Sequence, residues 1–124
     1  MLEAKKISLH TSLQQVKLSF HQHLAEILVS NLLNNAIRHT GANGEIDVEL
    51  SNEMFSISNT SFNGELDKNK IFQRFYKTDI SEGTGLGLAI VKEICNMAGA
   101  VISYQYQNNK HQFTIKFADG NKVQ

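Results

Sequence analysis

The chain reads as an α+β two-layer sandwich, a mixed sheet of about five strands covered on one face by about three helices. Two observations lead there. Apolar residues recur at helical spacing over two long segments, 21–39 and 86–97, and alternate with polar ones in several short segments,. The elements run β-β-α-β-β-(short α)-loop-α-β-β, which groups strands as hairpins and lacks a regular βαβ alternation. A length of 124 residues makes one domain of ordinary size,.

Each element has its own pattern. Lys6-Ile7-Ser8-Leu9 and Gln15-Val16-Lys17-Leu18-Ser19-Phe20 alternate as half-buried strands do. From His21 to about His39 the pattern is helical, with Leu24, Leu28, Leu32 and Ala36 on one face. Thr40-Gly41-Ala42-Asn43-Gly44 ends that helix and turns the chain. Ile46 to Leu50 alternates again, and Ser51-Asn52-Glu53 connects it, hairpin fashion, to Phe55 through Asn59. A polar stretch from Thr60 to Asn69 precedes an expected short helix from Lys70 to Phe75 and an exposed loop over 76–85. Leu86 to Met97 is helical, closed by Ala98-Gly99-Ala100. Val101 to Tyr106 and Gln112 to Phe117 form a last hairpin around Asn108-Asn109. Residues 1–5 read as the end of a linker or a cloning remnant, 6–117 as the domain, and 118–124 as a frayed tail.

Composition narrows the function. Twelve basic residues balance twelve acidic ones, so the chain lacks the basic excess of a nucleic-acid binder. Any polyanion must be met by local geometry. The single cysteine, Cys95, excludes an internal disulfide and falls in an apolar helical pattern, as a small core residue would,. No apolar run approaches the ~20 residues of a membrane span, and no signal peptide is visible. His21-x-His23 reads as a solvated pair at a helix start, and His111 as an exposed strand position.

Two segments carry chemistry. Gly83-Thr84-Gly85-Leu86-Gly87 runs straight into a helix. Glycines let backbone approach a ligand closely, and a helix start offers unpaired N–H groups to phosphate. Upstream, Asn31, Asn35 and Arg38 form one stripe on the border of the first helix's apolar face,. Asparagine is a mediocre helix former, so Asn31, Asn34 and Asn35 need a reason. Either they bond neighbouring backbone, or a side-chain carbonyl ligates Mg²⁺ while a cation one turn on meets phosphate.

Three blocks make the chain resemble the catalytic ATP-binding domain of bacterial sensor histidine kinases, of the GHKL superfamily with its Bergerat ATP-binding fold. Asn31-Leu32-Leu33-Asn34-Asn35-Ala36 is similar to the N box, Ile71-Phe72-Gln73-Arg74-Phe75-Tyr76-Lys77 to the F box, and Gly83 through Lys92 to the G2 box. The likeness covers roughly residues 6–117. It implies ATP and Mg²⁺ as ligands, with Asn35 on the metal and Asn31 supporting metal and phosphates. By the same likeness Arg38 contacts phosphate and His39 lies beside the nucleotide. Lys77 reaches the γ-phosphate, and Gly83, Thr84, Gly85, Leu86 and Gly87 form the lid hinge and phosphate-contacting turn. Phe72 and Phe75 match aromatics that pack the base of the lid. Asn59 stands where the G1 box has an Asp that accepts from the adenine amino group. It keeps an acceptor, but the bond becomes neutral and weaker, and Ser61 and Asn63 replace the two glycines of that box.

Hydrolysing relatives carry a water-activating Glu where this chain has Asn31, and an amide is no general base near neutral pH. The resemblance therefore implies that ATP is held without efficient hydrolysis and that its γ-phosphoryl passes to a histidine on a separate dimerisation and phosphoacceptor domain. That acceptor, usually in a His-Glu/Asp-x-x-Thr-Pro sequence, is absent from this proline-free chain, so no catalytic residue is assigned within it. The implied partners are that domain and a response regulator receiver domain, with no nucleic acid and no direct membrane contact. The implied setting is the cytoplasmic part of an inner-membrane sensor. A degenerate GHKL module that binds nucleotide weakly or not at all and regulates by contact is the alternative, favoured by the altered G1 box. An anti-sigma type Ser/Thr kinase is a third reading, opposed by the F box.

Overall fold

The computed structural model describes residues 6–76 and 86–118. Five strands, β1 (Ser8–Leu13), β2 (Glu45–Leu50), β3 (Met54–Thr60), β4 (Val101–Gln107) and β5 (Lys110–Lys116), form one sheet in the order β1-β2-β3-β5-β4. Helices α1 (Gln22–His39) and α2 (Gly87–Ala98) pack against each other and onto β3 and β4. β1 pairs parallel with β2, and the other pairings are antiparallel. The sheet is thus mixed, as expected.

Strand alternation sends every second residue to the helix-covered face. The register aligns these residues in rows across the sheet: Leu50–Phe55–Ile115–Ile102, Val48–Ile57–Phe113–Tyr104 and Ile46–Asn59–His111–Tyr106. The first two rows are apolar, apart from the Tyr104 hydroxyl, and with Leu28, Leu32 and Ala36 of α1 and Val91, Ile94 and Cys95 of α2 they make the core. The third row turns polar in its middle. Cys95 is fully buried and its thiol pKa is pushed up to about 11 by that burial, against a smaller lowering by Lys92, so it stays an inert thiol.

Local chemistry sets the element ends. The His21 Nδ1 accepts from the His23 N–H at 3.2 Å and caps α1, which gives that histidine a structural role. Gly99, with φ 72°, ends α2 in the left-handed region,. Asn108 and Asn109, at φ 55° and 60°, close the β4–β5 hairpin as a two-residue turn that needs positive φ at both positions,.

Three expectations change. The first strand is exposed along its whole length rather than half-buried, because it lies at the sheet edge while the helices pack on β3 and β4. Residues 15–20 make only an isolated bridge at Leu18, although Val16, Leu18 and Phe20 remain half-buried by alternation. The expected helix from Lys70 to Phe75 is a run of turns. Lys70 and Ile71 N–H groups both donate to the Asp67 carbonyl at 3.0 Å, and Phe75 takes φ 64°, which no right-handed helix continues through. The described helices therefore number two, not three. Phe72 packs edge-on to Phe113 with centroids 6.2 Å apart, whereas Phe75, expected to pack similarly, is 69% exposed. No described helix is long and apolar enough to cross a membrane.

Candidate functional site

The border stripe on α1 forms as the spacing requires. Asn31 and Asn35 are half-buried and Arg38 is exposed, beside the buried line Leu28, Leu32, Ala36 and His39. The Asn31 Nδ2 donates to the Ile27 carbonyl at 2.8 Å. That bond to neighbouring backbone holds the amide and turns its oxygen toward α2. A Cβ built on Gly87 would stand 3.1 Å from Asn31 Oδ1, tighter than ordinary contact, so glycine is what lets the start of α2 come this close. Leu86 caps α2 without a side-chain hydrogen bond, so the cap residue itself satisfies none of the first-turn N–H groups.

At the far end of α1, four polar residues besides His39 are buried: Thr40, Asn59, Ser61 and His111. The Thr40 hydroxyl donates back to the Ala36 carbonyl, and Thr60 Oγ1 accepts from the Glu45 N–H at 3.2 Å, tying the start of β2 to the end of β3. Asn59 is 2% exposed and its Nδ2 has no hydrogen-bond partner among the described residues. Directly across the ladder is His111, also 2% exposed. The Tyr104 hydroxyl accepts from the Leu66 N–H at 3.0 Å and lies 2.6 Å from His111 Nδ1. Burial first, and the charge of His39 second, push the His111 pKa from 6.5 down to about 4. The ring is therefore neutral near pH 7, with Nδ1 accepting from the Tyr104 hydroxyl. Burial likewise raises the Tyr104 pKa.

Of the residues singled out in the sequence, Asn31, Asn35, Arg38, His39, Asn59, Leu86 and Gly87 fall on the elements expected, and Asn31 and Gly87 are brought into direct approach. Lys77, Gly83, Thr84 and Gly85 lie outside the described residues. The reading of His111 as an exposed strand position is corrected. It shares its parity with Phe113 and Ile115, both core residues, and that parity was the available cue. Ser61, named in the sequence only as a replacement for a glycine of the G1 box, is buried here, and Tyr104 and Thr40 are buried hydroxyl-bearing residues that the sequence did not mark as part of the site.

Comparison with known proteins gives consistent matches. A model of the family described as histidine kinase-, DNA gyrase B-, and HSP90-like ATPase matches residues 21–121. The heme sensor protein HssS of Staphylococcus epidermidis is 31% identical over 119 residues, which cover 92% of this chain and 26% of that protein. HssS of Staphylococcus aureus is 33% identical over 112 residues, covering 86% and 24%. The chain thus spans about a quarter of the length of these relatives. Among solved structures, a mycobacterial sensor histidine kinase, MprB, superposes with a TM-score of 0.83 at 18% identity over 99% of this chain and 90% of that one, a likeness of fold. The nucleotide-free catalytic domain of histidine kinase ThkA gives 0.78 at 25% identity, over 94% and 81%.

Proposed function

The chain belongs to the histidine kinase-, DNA gyrase B-, and HSP90-like ATPase family, and from that premise we propose that it binds Mg·ATP along α1 and presents the γ-phosphoryl to a histidine carried on another domain. The observation that carries this reading is the approach of Asn31 Oδ1 to Gly87, which joins the amide stripe of α1 to the start of α2. One surface then offers carbonyl oxygens, a guanidinium and helix-start N–H groups in sequence.

Asn35, one turn beyond Asn31, supplies an oxygen of the kind a hard divalent cation takes. Mg²⁺, when bound, supplies neutralisation of phosphate charge. Arg38 adds positive charge a further turn along, and the first turn of α2 turns its N–H groups toward an anion. Lys77, Gly83, Thr84 and Gly85 complete the phosphate side, and Asn59 and His39 flank the base. Helical rise separates Asn31 from His39 by about 12 Å, the scale of an extended nucleoside triphosphate. The orphaned Nδ2 of buried Asn59 fits a ligand that brings its own polar groups,.

Asn31 cannot take a proton from water near neutral pH, and its nitrogen is tied to Ile27,. The site therefore holds its nucleotide, and transfer depends on positioning an outside nucleophile and neutralising charge. In the parent protein we assign that nucleophile to a histidine of the dimerisation domain, with a response regulator receiver domain as the next acceptor.

Calorimetric titration with a non-hydrolysable ATP analogue tests the reading. Binding should saturate and strengthen with Mg²⁺, and Asn35→Ala should abolish the Mg²⁺ dependence while leaving the circular dichroism spectrum unchanged. An absence of binding at millimolar nucleotide would instead support the degenerate, contact-regulating module.

A further inference from the structure

Asn59 carries a buried amide nitrogen that no group among the described residues satisfies. Its surroundings offer little: His111, across the ladder, has its Nδ1 engaged by Tyr104, and the Thr40 hydroxyl is turned to Ala36. A fold that buries an unpaired donor of this kind is destabilised by it, and such groups are rare enough to call for an explanation. A ligand that supplies an acceptor is one.

We infer that Asn59 makes the site tolerant at position 6 of the purine ring, so that it accepts inosine and guanosine triphosphates alongside ATP. The inference rests on the nucleotide reading above, in which Asn59 takes the G1-box place beside position 6 of the base. At this position adenine presents a donor, its N6 amino group, and guanine an acceptor, O6. A carboxylate only accepts. It takes the amino group and repels the carbonyl, and so selects adenine. An amide carries both roles: Oδ1 receives the amino group, and Nδ2, after a half-turn of the terminal torsion, donates to O6. No hydrogen bond holds Nδ2 in the described structure, so the half-turn breaks none there. The neighbouring ring atom follows the same logic, since N1 accepts in adenine and carries a proton in guanine. The amide matches either edge as a two-bond pair.

The test is titration of the chain, with Mg²⁺, against ATP, inosine triphosphate, guanosine triphosphate and purine riboside triphosphate, the last of which has no substituent at position 6. The expected result is ATP and inosine triphosphate dissociation constants within about fivefold of each other, and both tighter than that of purine riboside triphosphate, as paired polar groups require. Asn59→Asp should then raise the preference for ATP over inosine triphosphate by about tenfold or more, the scale of one charged-group repulsion replacing a hydrogen bond. Wild-type rejection of inosine triphosphate beyond about fivefold overturns the inference, as does a tolerance that Asn59→Asp leaves unchanged. If the buried carboxylate prevents folding, the wild-type series decides alone, through whether both position 6 substituents tighten binding. Failure of every triphosphate to bind removes the nucleotide reading and the inference with it, whereas binding of ATP alone removes only the inference.

Discussion

His111 shows how burial converts a titratable side chain into a pH-dependent contribution to stability. In the unfolded chain its imidazole takes up a proton near 6.5; in the fold, burial and the charge of His39 delay that to about 4. Between those values the unfolded state binds more protons, so stability falls as pH falls through this window and is independent of this group above it. The loss by the bottom of the window is on the order of 3 kcal/mol. Denaturant midpoints measured from pH 7.5 down to 4.5 should show it. His111→Gln should flatten part of the slope, because the amide can accept from Tyr104 without titrating. Equal slopes in the two proteins would mean that His111 takes up its proton at the same pH in the fold as in the unfolded chain. The residue was overlooked in the sequence because a lone histidine in a polar hairpin carries no pattern until strand parity is counted from Phe113 and Ile115. Asn59, by contrast, was singled out through its family position; its orphaned nitrogen becomes visible only in three dimensions.

Elements were readable in proportion to how much of their structure is local. The two helices follow apolar spacing, and the β4–β5 hairpin follows its paired asparagines, because turn chemistry and periodicity act over a few residues. The run of turns from Asp67 to Phe75 escaped because the Asp67 carbonyl takes two N–H groups, a competition with helix that composition does not reveal. The exposure of β1 escaped because it depends on which strands the helices cover. The hairpin turn gives a local test. Asn108 sits at φ 55°, where most side chains are strained and glycine is not. Asn108→Ala should therefore destabilise the domain by about 1 kcal/mol, and Asn108→Gly should restore most of that loss. Chemical denaturation of the two variants checks this; equal losses would place the cost in the asparagine side chain rather than in the backbone.

At the scale of the molecule, the helix layer has two unlike poles. Near the start of α1, Leu13, Leu18, Phe20, Val29 and Phe55 line an apolar groove, and near its end lie the buried polar residues around Asn59. The blocks at 31–36 and 83–92 could be read in the sequence, but their meeting could not, since contact across two helices depends on how the sheet carries them. Gly87 makes that meeting testable apart from stability. Alanine there favours helix by up to about 1 kcal/mol and restricts the unfolded chain. Its methyl group would press on Asn31 Oδ1 at 3.1 Å. Asn31 cannot yield freely, because moving its amide strains the bond to the Ile27 carbonyl. Stability and binding should therefore separate in Gly87→Ala: an unchanged or higher melting temperature, with Mg·ATP affinity reduced by about tenfold, equivalent to about 1.4 kcal/mol. A thermal melt and a titration on the same preparation give both numbers. If melting temperature and affinity fell together, the methyl group would be disrupting the helix pair as a whole. If affinity were untouched, the Asn31–Gly87 approach would belong to packing alone and the nucleotide would have to lie elsewhere.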